Sequence, residues 1–567
     1  MLVYRSDDRE VEAAPVLESL VERLRSWKNP AHDEVLSSFV DLGELESAIV
    51  DSQFPQTDSL NSLTTAFRAA ALEIGHAVIA SWRGESQERD RRLERTWQQL
   101  AAMDPRQLPH IISMRVSEGY AYYALRPETY VVAAERWVQD ARPRAAVCIG
   151  IRSIGCSLSA VVAAAAERAR VRITTCTVRP RGHPFDRRIV IDERVAAVFR
   201  RADADAFFLV VDEGPGLSGS SFASVVRALR EHGIPADRII LFPSSNPDGS
   251  AFRSTYARTI WREHRRYSVS AEEARCSLQD ATSEPDAIDI SGGAWRHLLW
   301  PHIDTMPAVH PQHEVIKQWR RASRTIVRFA GLGRYGEAKL RRARTLSDAG
   351  LGVAPIRLDG GYLHLPFVRA TSWGEASDAL IAAVTRHCAF VTRSFPSQRS
   401  PSIDMLFDLV VTNVREGCGE TVAIPSLEQY RSVLDAAPTA AIDGRMLPHE
   451  WLRVDGHFLK VDALDHSQDH FFPGTQDAGW DLAAVAFEFS LDESARERLL
   501  QTYADLSGDT EINRRMRFYD IAYPAFRLGY ASMAAESLGT SGDSDRFRAI
   551  SARCKLRLAQ VLAKQQV

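Results

Sequence analysis

The chain has 567 residues, 45% of them hydrophobic and 25% charged, with a formal net charge of −3. This is globular composition, too long for one core, without a bulk electrostatic drive toward nucleic acid or an anionic membrane. No apolar run reaches the ~18 residues that span a bilayer. The seven cysteines are scattered with no CxxC spacing, which argues against a zinc ribbon or disulfide framework, and the N-terminus MLVYRSDDRE lacks an apolar signal core; a cytoplasmic location is expected.

Residues 1–105 read as a helical extension or hood. VLESLVERLRSW (16–27) and SLTTAFRAAALEIGHAVIASW (62–82) carry apolar residues at helical spacing. They show no chemistry and suit a cap or an oligomerisation element, so a homo-oligomer is compatible with them. From 106 to 285 short apolar runs alternate with amphipathic helices. AAVCIG (145–150), VRITTCTV (171–178), RRIVID (187–192), AFFLVV (206–211) and RIILFPSS (238–245) are strand candidates. Apolar strands separated by helices predict a parallel sheet covered on both faces. Ligands of such sheets sit at the strands' C-terminal ends, which directs attention to the loops after Gly150 and Val211.

The segment 268–288 is polar, carries Pro285 and reads as a linker. Residues 286–567 form a second, two-lobed α+β domain. It opens with the strands TIVRFAG (325–331) and YLHLPFV (362–368), becomes helical after Trp373 and ends in DRFRAISARCKLRLAQVLAKQQ (545–566). The fold class is therefore α/β for the parallel-sheet domain with its helical N-terminal extension, followed by an α+β domain.

The chemistry concentrates in DEGPGLSGSS (212–221). Asp212 and Glu213 stand at the tip of a buried strand, and two adjacent acids are costly to bury without partners. A sugar diol supplies such partners. Gly214, Gly216, Ser218, Gly219, Ser220 and Ser221 follow: glycines let a backbone approach a ligand closely, and the serines offer hydroxyls. The helix 222–232 buries Phe222, Val225, Val226 and Leu229 and stops at Gly233 and Pro235. Its N-terminus suits a phosphate. Acids for a diol plus a phosphate cradle describe a sugar phosphate.

The stretch resembles the 5-phosphoribosyl 1-diphosphate (PRPP) signature of type I phosphoribosyltransferases, with one extra residue between the acids and the Ser-Gly-Ser-Ser cradle. The resemblance implies that Asp212 and Glu213 hold the ribose hydroxyls at the catalytic centre, and that residues 214–221 bind the 5′-phosphate. VCIGIRSIGCSLSAVV (147–162) is similar to the family's diphosphate loop, with Arg152, Ser153, Ile154 and Gly155 at its tip; backbone amides and an arginine suit a diphosphate. TVRPRGHPFDRRIVID (177–192) stands where the family has its mobile loop, so Arg179, Arg181, Arg187 and Arg188 would neutralise the leaving group. SEGYAYYALRPETYVVAAERW (117–137) would lead from hood to core. The implied reaction moves a phosphoribosyl group between PRPP, or a nucleotide, and a nitrogenous acceptor, by positioning, leaving-group neutralisation and exclusion of water. Mg²⁺ would be bound mostly by ligand oxygens.

In the C-terminal domain, GLGRYG (331–336) fits GxGxxG, but no βαβ unit follows it, so a dinucleotide site is rejected. DGRMLPHEWLRVDGHFLKVDALDH (443–466) and GWDLAAVAFEF (479–489) resemble the catalytic segment of aminoglycoside-phosphotransferase-like kinases. Residues 452–459, centred on VDG, read as its hairpin. The resemblance puts Asp462 at the metal-binding Asp and Asp481 at the helix Asp. It puts Arg445 at the catalytic Asp, Glu450 at the metal-binding Asn, Arg328 at the phosphate-binding Lys and Arg342 near that lysine's Glu partner. Glu450 can bind Mg²⁺, here with ATP. Arg445 cannot accept a proton, and Asp443 lies two residues off register. Asp465, His466, Asp469 and His470 match no strict metal-ligand spacing and read either as a metal cluster or as a solvated loop.

The leading expectation is a phosphoribosyltransferase joined to a kinase-like domain. Two alternatives stand beside it: a non-catalytic PRPP or nucleotide sensor, and a small-molecule kinase with a relic phosphoribosyltransferase domain. In each, the partner is a small-molecule nucleotide or PRPP.

Overall fold

Two bodies make up the chain, one from Asp8–Pro285 with Gly331–Gly336, the other from Met1–Asp7, Asp286–Ala330 and Glu337–Val567. The computed structural model describes all residues except 6–7, 217, 251, 277–286, 301–304, 371, 374–376, 399–400 and 565–567. The core of the expected linker, including Pro285, lies outside the described residues. No helix among the described residues is long and apolar enough to cross a membrane.

In the first body, β1 (Arg9–Glu12) and β2 (Ile111–Met114) form a small antiparallel pair. The main sheet holds β3 (Ala145–Ile151), β4 (Arg172–Val178), β5 (Phe207–Val211), β6 (Ile239–Phe242) and β7 (Arg265–Arg266), all parallel, in the order β4-β3-β5-β6-β7. Every residue of β3 and β6 is buried, as a sheet covered on both faces requires. The chain leaves β3 toward β4 and returns on β3's other side as β5. That reversal is the topological switch point, where open parallel sheets bind ligands.

The alanine-rich helix Gly155–Arg168 follows β3 and is buried along its first twelve residues. Small side chains let its neighbours come close: a Cβ on Gly75 of the helix Ser62–Trp82 would lie 2.8 Å from the Ala160 carbonyl oxygen. The GLGRYG segment also belongs to this body, where the Leu332 amide donates to the Tyr120 carbonyl at 2.9 Å and Arg334 pairs with Asp41 and Glu44.

RRIVID (187–192) forms no strand. It makes only the isolated bridges Arg181↔Arg188 and Asp58↔Ile191, and β7 is the fifth strand instead. The reason is local: Asp192 is the N-cap of the helix Glu193–Arg200, accepting from the Arg194 and Val195 amides at 2.9 and 3.1 Å. That ends the extended run before a ladder can form.

The second body carries an antiparallel sheet of β8 (Ala287–Asp289), β9 (Lys317–Arg320), β10 (Thr325–Phe329), β11 (Arg357–Asp359) and β12 (Tyr362–Pro366), in the order β11-β12-β10-β9-β8. A smaller sheet joins β13 (Ser372–Trp373), β14 (Trp451–Val454) and β15 (His457–Lys460). The predicted hairpin is present: Asp455 and Gly456 turn between β14 and β15 with φ of 48° and 83°, the two positive values a tight Asp-Gly turn needs. The remainder is helical around the buried helix Ile512–Ser537, on which Trp480 meets Tyr523 and Phe526. The first residues of the chain belong here too, since the Phe472 amide donates to the Val3 carbonyl at 3.1 Å.

Candidate functional site

The loops after β3 and β5 meet at the switch point. A Cβ on Gly155 would lie 2.7 Å from the Val211 carbonyl and 3.6 Å from Asp212 Oδ1, so the helix after β3 starts directly against the acid pair. The Tyr130 hydroxyl donates to the carbonyls of Asp212 and Glu213 at 2.7 and 3.1 Å, fixing their backbone. Both side chains are half-buried. Burial pushes the Asp212 carboxyl up to about 7, against the Glu213 amide and the charges of Arg179 and Arg187. Burial, then the charges of Asp212 and Glu118, pushes Glu213 up to about 8. Such a pair is primed to accept hydroxyl donors or positive charge.

On the diphosphate-loop side, Ser153 has φ 127°. A non-glycine residue held there stores on the order of 1–3 kcal/mol of strain, a condition that clusters at ligand clamps. Ile154 is buried at the entry to the helix that starts at Gly155. On the cradle side, Gly219 caps the helix Ser220–Glu231 with φ 64°, a left-handed conformation that glycine adopts freely. Gly216 also has positive φ, at 53°, while Gly214 does not. Ser218 and Ser220 hydroxyls stand 3.0 Å apart, and Ser220 Oγ donates to the Pro184 carbonyl at 2.6 Å. Arg187 donates to Ser221 Oγ at 3.0 Å. The 181–188 segment therefore folds onto the cradle.

The five predicted arginines divide. Arg187 reaches the cradle. Arg188 faces outward beside Asp186 at 3.5 Å. Arg152, Arg179 and Arg181 gather instead around two further acids, Asp51 and Asp58. Arg152 donates to Asp51 at 2.7 Å and also binds Asp58. Arg179 binds Asp51, and its amide donates to Asp58 at 2.8 Å. Arg181 binds Asp58 at 2.9 Å. No local signal marks these acids, because their partners lie about a hundred residues along the chain.

In the second body, the buried Asp481 carboxylate accepts from the amides of Asp443 and Gly444 at 2.9 and 2.8 Å. Burial, then the Asp443 charge, raises its pKa to about 7. The loop carrying Arg445 and Glu450 is thereby anchored. Arg328 stands on β10, the third strand of the sheet, as the phosphate-binding lysine of kinases does. It binds Asp462 at 2.7 Å and also Asp465. Lys339, not Arg342, faces Asp465, at 2.8 Å. Arg342 instead donates to the carbonyls of Ala463 and Ala441, both at 2.7 Å.

Glu450, Asp462 and His466 bring one ligand atom each within 4.8 Å of one another. The donors are already engaged. Lys460 binds Glu450 at 2.6 Å and Asp443 at 3.2 Å, and Lys317 lies 3.6 Å from Asp462. Four cations (Lys317, Arg328, Lys339, Lys460) thus face four carboxylates (Asp443, Glu450, Asp462, Asp465). Burial would raise the Asp443 carboxyl, but Lys460, then His466 and His387, hold it well below the usual range. Mg²⁺ takes free oxygen ligands and waters, so this neutral, partly nitrogenous set does not fit it.

Arg445 lies over the rings of Phe471 and Tyr530 at 5.1 and 5.2 Å and 3.5 Å from Asp469. The four-residue metal cluster is not formed. Asp465 faces Arg328 and Lys339, Asp469 faces Arg445, His466 faces Asp443 at 3.4 Å, and His470 stacks on Tyr4 at 5.2 Å. The long connection from β8 to β9 is pinned to the helical lobe: Arg296 makes two bonds to Asp543 at 2.6 and 2.8 Å. Trp295 stacks on His449 at 5.6 Å, and the glycine pair Gly292–Gly293 packs on Pro311 and on the Arg296 guanidinium.

No family model and no curated protein matches the chain. Among solved structures it is similar to a choline/ethanolamine kinase family protein from Mesorhizobium loti, at 16% identity and TM-score 0.32 over 44% of this chain and 88% of that one. It is also similar to choline kinase LicA from Streptococcus pneumoniae, at 16% and 0.29 over 44% and 90%, and to a Plasmodium vivax ethanolamine kinase, at 8% and 0.31 over 56% and 90%. TM-scores of 0.29 to 0.32 carry no argument about activity. All three proteins are kinases by name, so the comparisons lend nothing to the phosphoribosyltransferase resemblance.

Proposed function

We propose that the first body binds a sugar phosphate of the PRPP class at the switch point and transfers its phosphoribosyl group to, or removes it from, a nitrogenous acceptor. One observation carries the reading. The helix start after the strained turn of β3 packs against the acid pair after β5, and Arg187 is bonded to the serine cradle that follows that pair.

In this reading Asp212 and Glu213, once ionised, accept hydrogen bonds from the two ribose hydroxyls. The helix end at Gly219–Ser221 and its hydroxyls hold the 5′-phosphate. In transfer, the bond from ribose C1 to the diphosphate oxygen breaks with its electron pair leaving on the diphosphate, and the acceptor nitrogen bonds to C1. Positive charge that develops on the ribose faces the acid pair, and Arg187, bonded to Ser221 Oγ, brings a guanidinium to the anionic side. Mg²⁺, which such ligands carry mainly on their own oxygens, would add neutralisation. Calorimetry with PRPP and Mg²⁺ tests binding, and diphosphate release with a panel of bases tests transfer. Absence of heat at millimolar ligand would overturn the reading.

A second reading, small-molecule phosphoryl transfer by the second body, has the Asp481 anchor of the 443–450 loop in its favour. Against it stand Arg445 in place of a proton acceptor and the self-neutralised carboxylates. We infer that this body binds or scaffolds rather than transfers phosphate. Hydrolysis or transfer from Mg-ATP that is lost in Asp462→Ala would reverse that order.

A further inference from the structure

The first body holds a compact charge cluster that the phosphate cradle does not use. Three guanidiniums enter it from the two loops assigned to the diphosphate side, Arg152 after β3 and Arg179 and Arg181 after β4. Two carboxylates enter from elsewhere, Asp51 near the end of the helix His32–Gln53 and Asp58 in the loop beyond it.

The cluster has a sealed half and an open half. The side chains of Arg152 and Asp58 are 0% exposed, whereas Asp51 is 29%, Arg179 16% and Arg181 21% exposed. On its inner side Arg179 also donates to the hydroxyl of the buried Ser47 at 3.1 Å. A sealed arginine–carboxylate pair is a fixed part of the interior, since removing one partner strands a buried charge. A partly exposed pair is screened by solvent and held less firmly than a sealed one. Carboxylate and phosphate oxygens engage a guanidinium in the same forked geometry, so a phosphate can take Asp51's place on Arg179 while Asp51 keeps its 2.7 Å bond to the sealed Arg152.

We propose that Asp51 is an internal anion occupying the leaving-group subsite, and that the diphosphate of an incoming ligand displaces it from Arg179 while the Arg152–Asp58 pair stays in place. The inference rests on the PRPP reading of the first body and adds to it an internal competitor for the diphosphate end. With Asp51 in place the cluster holds three cations against two acids. Only a ligand end with enough charge to win Arg179 gains the subsite, and a ligand lacking the diphosphate gains nothing from opening it. Asp51 thus weakens the hold on a diphosphate end and leaves ribose 5-phosphate untouched.

The test is calorimetric titration of inorganic diphosphate, PRPP and ribose 5-phosphate, each with Mg²⁺, into the full-length wild type and Asp51→Asn. The expected result is about two- to fivefold tighter diphosphate and PRPP binding in the variant, the size of one solvent-screened ion pair removed from competition, with ribose 5-phosphate unchanged. A permanent structural rivet would loosen all three ligands together or none. Asp51→Glu, which keeps the competing charge, should lack the tightening, and denaturant unfolding of both variants shows that each folds. If the wild type binds PRPP and Asp51→Asn binds diphosphate no more tightly, displacement is wrong and the PRPP reading survives. If neither chain binds PRPP or ribose 5-phosphate, both are wrong.

Discussion

Arg187 donates to Ser221 Oγ at 3.0 Å, tying the segment after β4 to the helix end after β5. Its neighbour Arg188 turns away to Asp186. Under the proposed function, Arg187→Ala should lower kcat/KM for diphosphate release about 10- to 100-fold, in the range of one lost anion contact in a closed site. Arg188→Ala should leave it within twofold. Steady-state kinetics on the two variants, with unfolding curves to confirm that both fold, checks the contrast; equal effects would remove Arg187 from the site.

The acid pair makes a signed prediction about pH. Folded-state values of about 7 for Asp212 and about 8 for Glu213 lie above the unfolded range of about 4. Between about pH 4 and 8 the native chain therefore binds more protons than the unfolded chain. The stability contributed by these groups is complete below about pH 4 and is lost as pH rises through 7 and then 8. Asp212→Asn with Glu213→Gln should flatten that loss in denaturant unfolding measured across this window. Ligand affinity should run the other way in the wild type, rising with pH as the pair ionises and becomes a better acceptor for the diol, and the double variant should abolish it.

In the second body, Asp481→Ala would leave the buried Asp443 and Gly444 amides without their acceptor. The expected cost is about 2–4 kcal/mol in that body's unfolding, with faster hydrogen exchange at both amides. Unchanged exchange would show that the anchor is not needed to hold the loop.

The four-cation, four-carboxylate cleft predicts indifference to metal. Mg²⁺ titrated alone into the wild type should give no heat assignable to Glu450 and Asp462, because Lys460, Arg328 and Lys317 already compensate them. Lys460→Met should create a net negative site and measurable divalent-ion binding. If the wild type binds Mg²⁺ and Glu450→Gln abolishes it, the neutral-cleft reading fails.

Asp543 holds the β8–β9 connection through Arg296 and through the Val309 amide at 3.3 Å. Asp543→Asn should speed exchange of the Val309 amide several-fold while leaving the sheet amides of β10 protected. Uniform deprotection would instead mean a general loss of stability.

Local readings succeeded where the chemistry is local. The apolar runs of β3, β5 and β6, the Asp-Gly hairpin and the strand–acid–glycine–serine–helix order of 207–231 depend on neighbours a few residues apart. Backbone conformation and burial at that range follow from side-chain type and spacing. RRIVID misled for the same reason in reverse: its apolar alternation is real, but an N-cap at Asp192 ends the extended run. What only the tertiary structure decided is the company each charge keeps. Arg152 stands in a loop whose residues suit a diphosphate, yet its side chain is sealed against Asp58. Glu450 and Asp462 carry the chemistry of metal ligands, yet they are matched by Lys460 of their own segment and by Lys317 and Arg328 from β9 and β10. An ion pair forms between groups that the fold brings within a few ångströms, whatever their separation along the chain. The sequence by itself therefore determined which residues sit at the ends of β3 and β5, while the packing of the helix His32–Gln53 and its loop decided which of their charges remain free to meet a ligand.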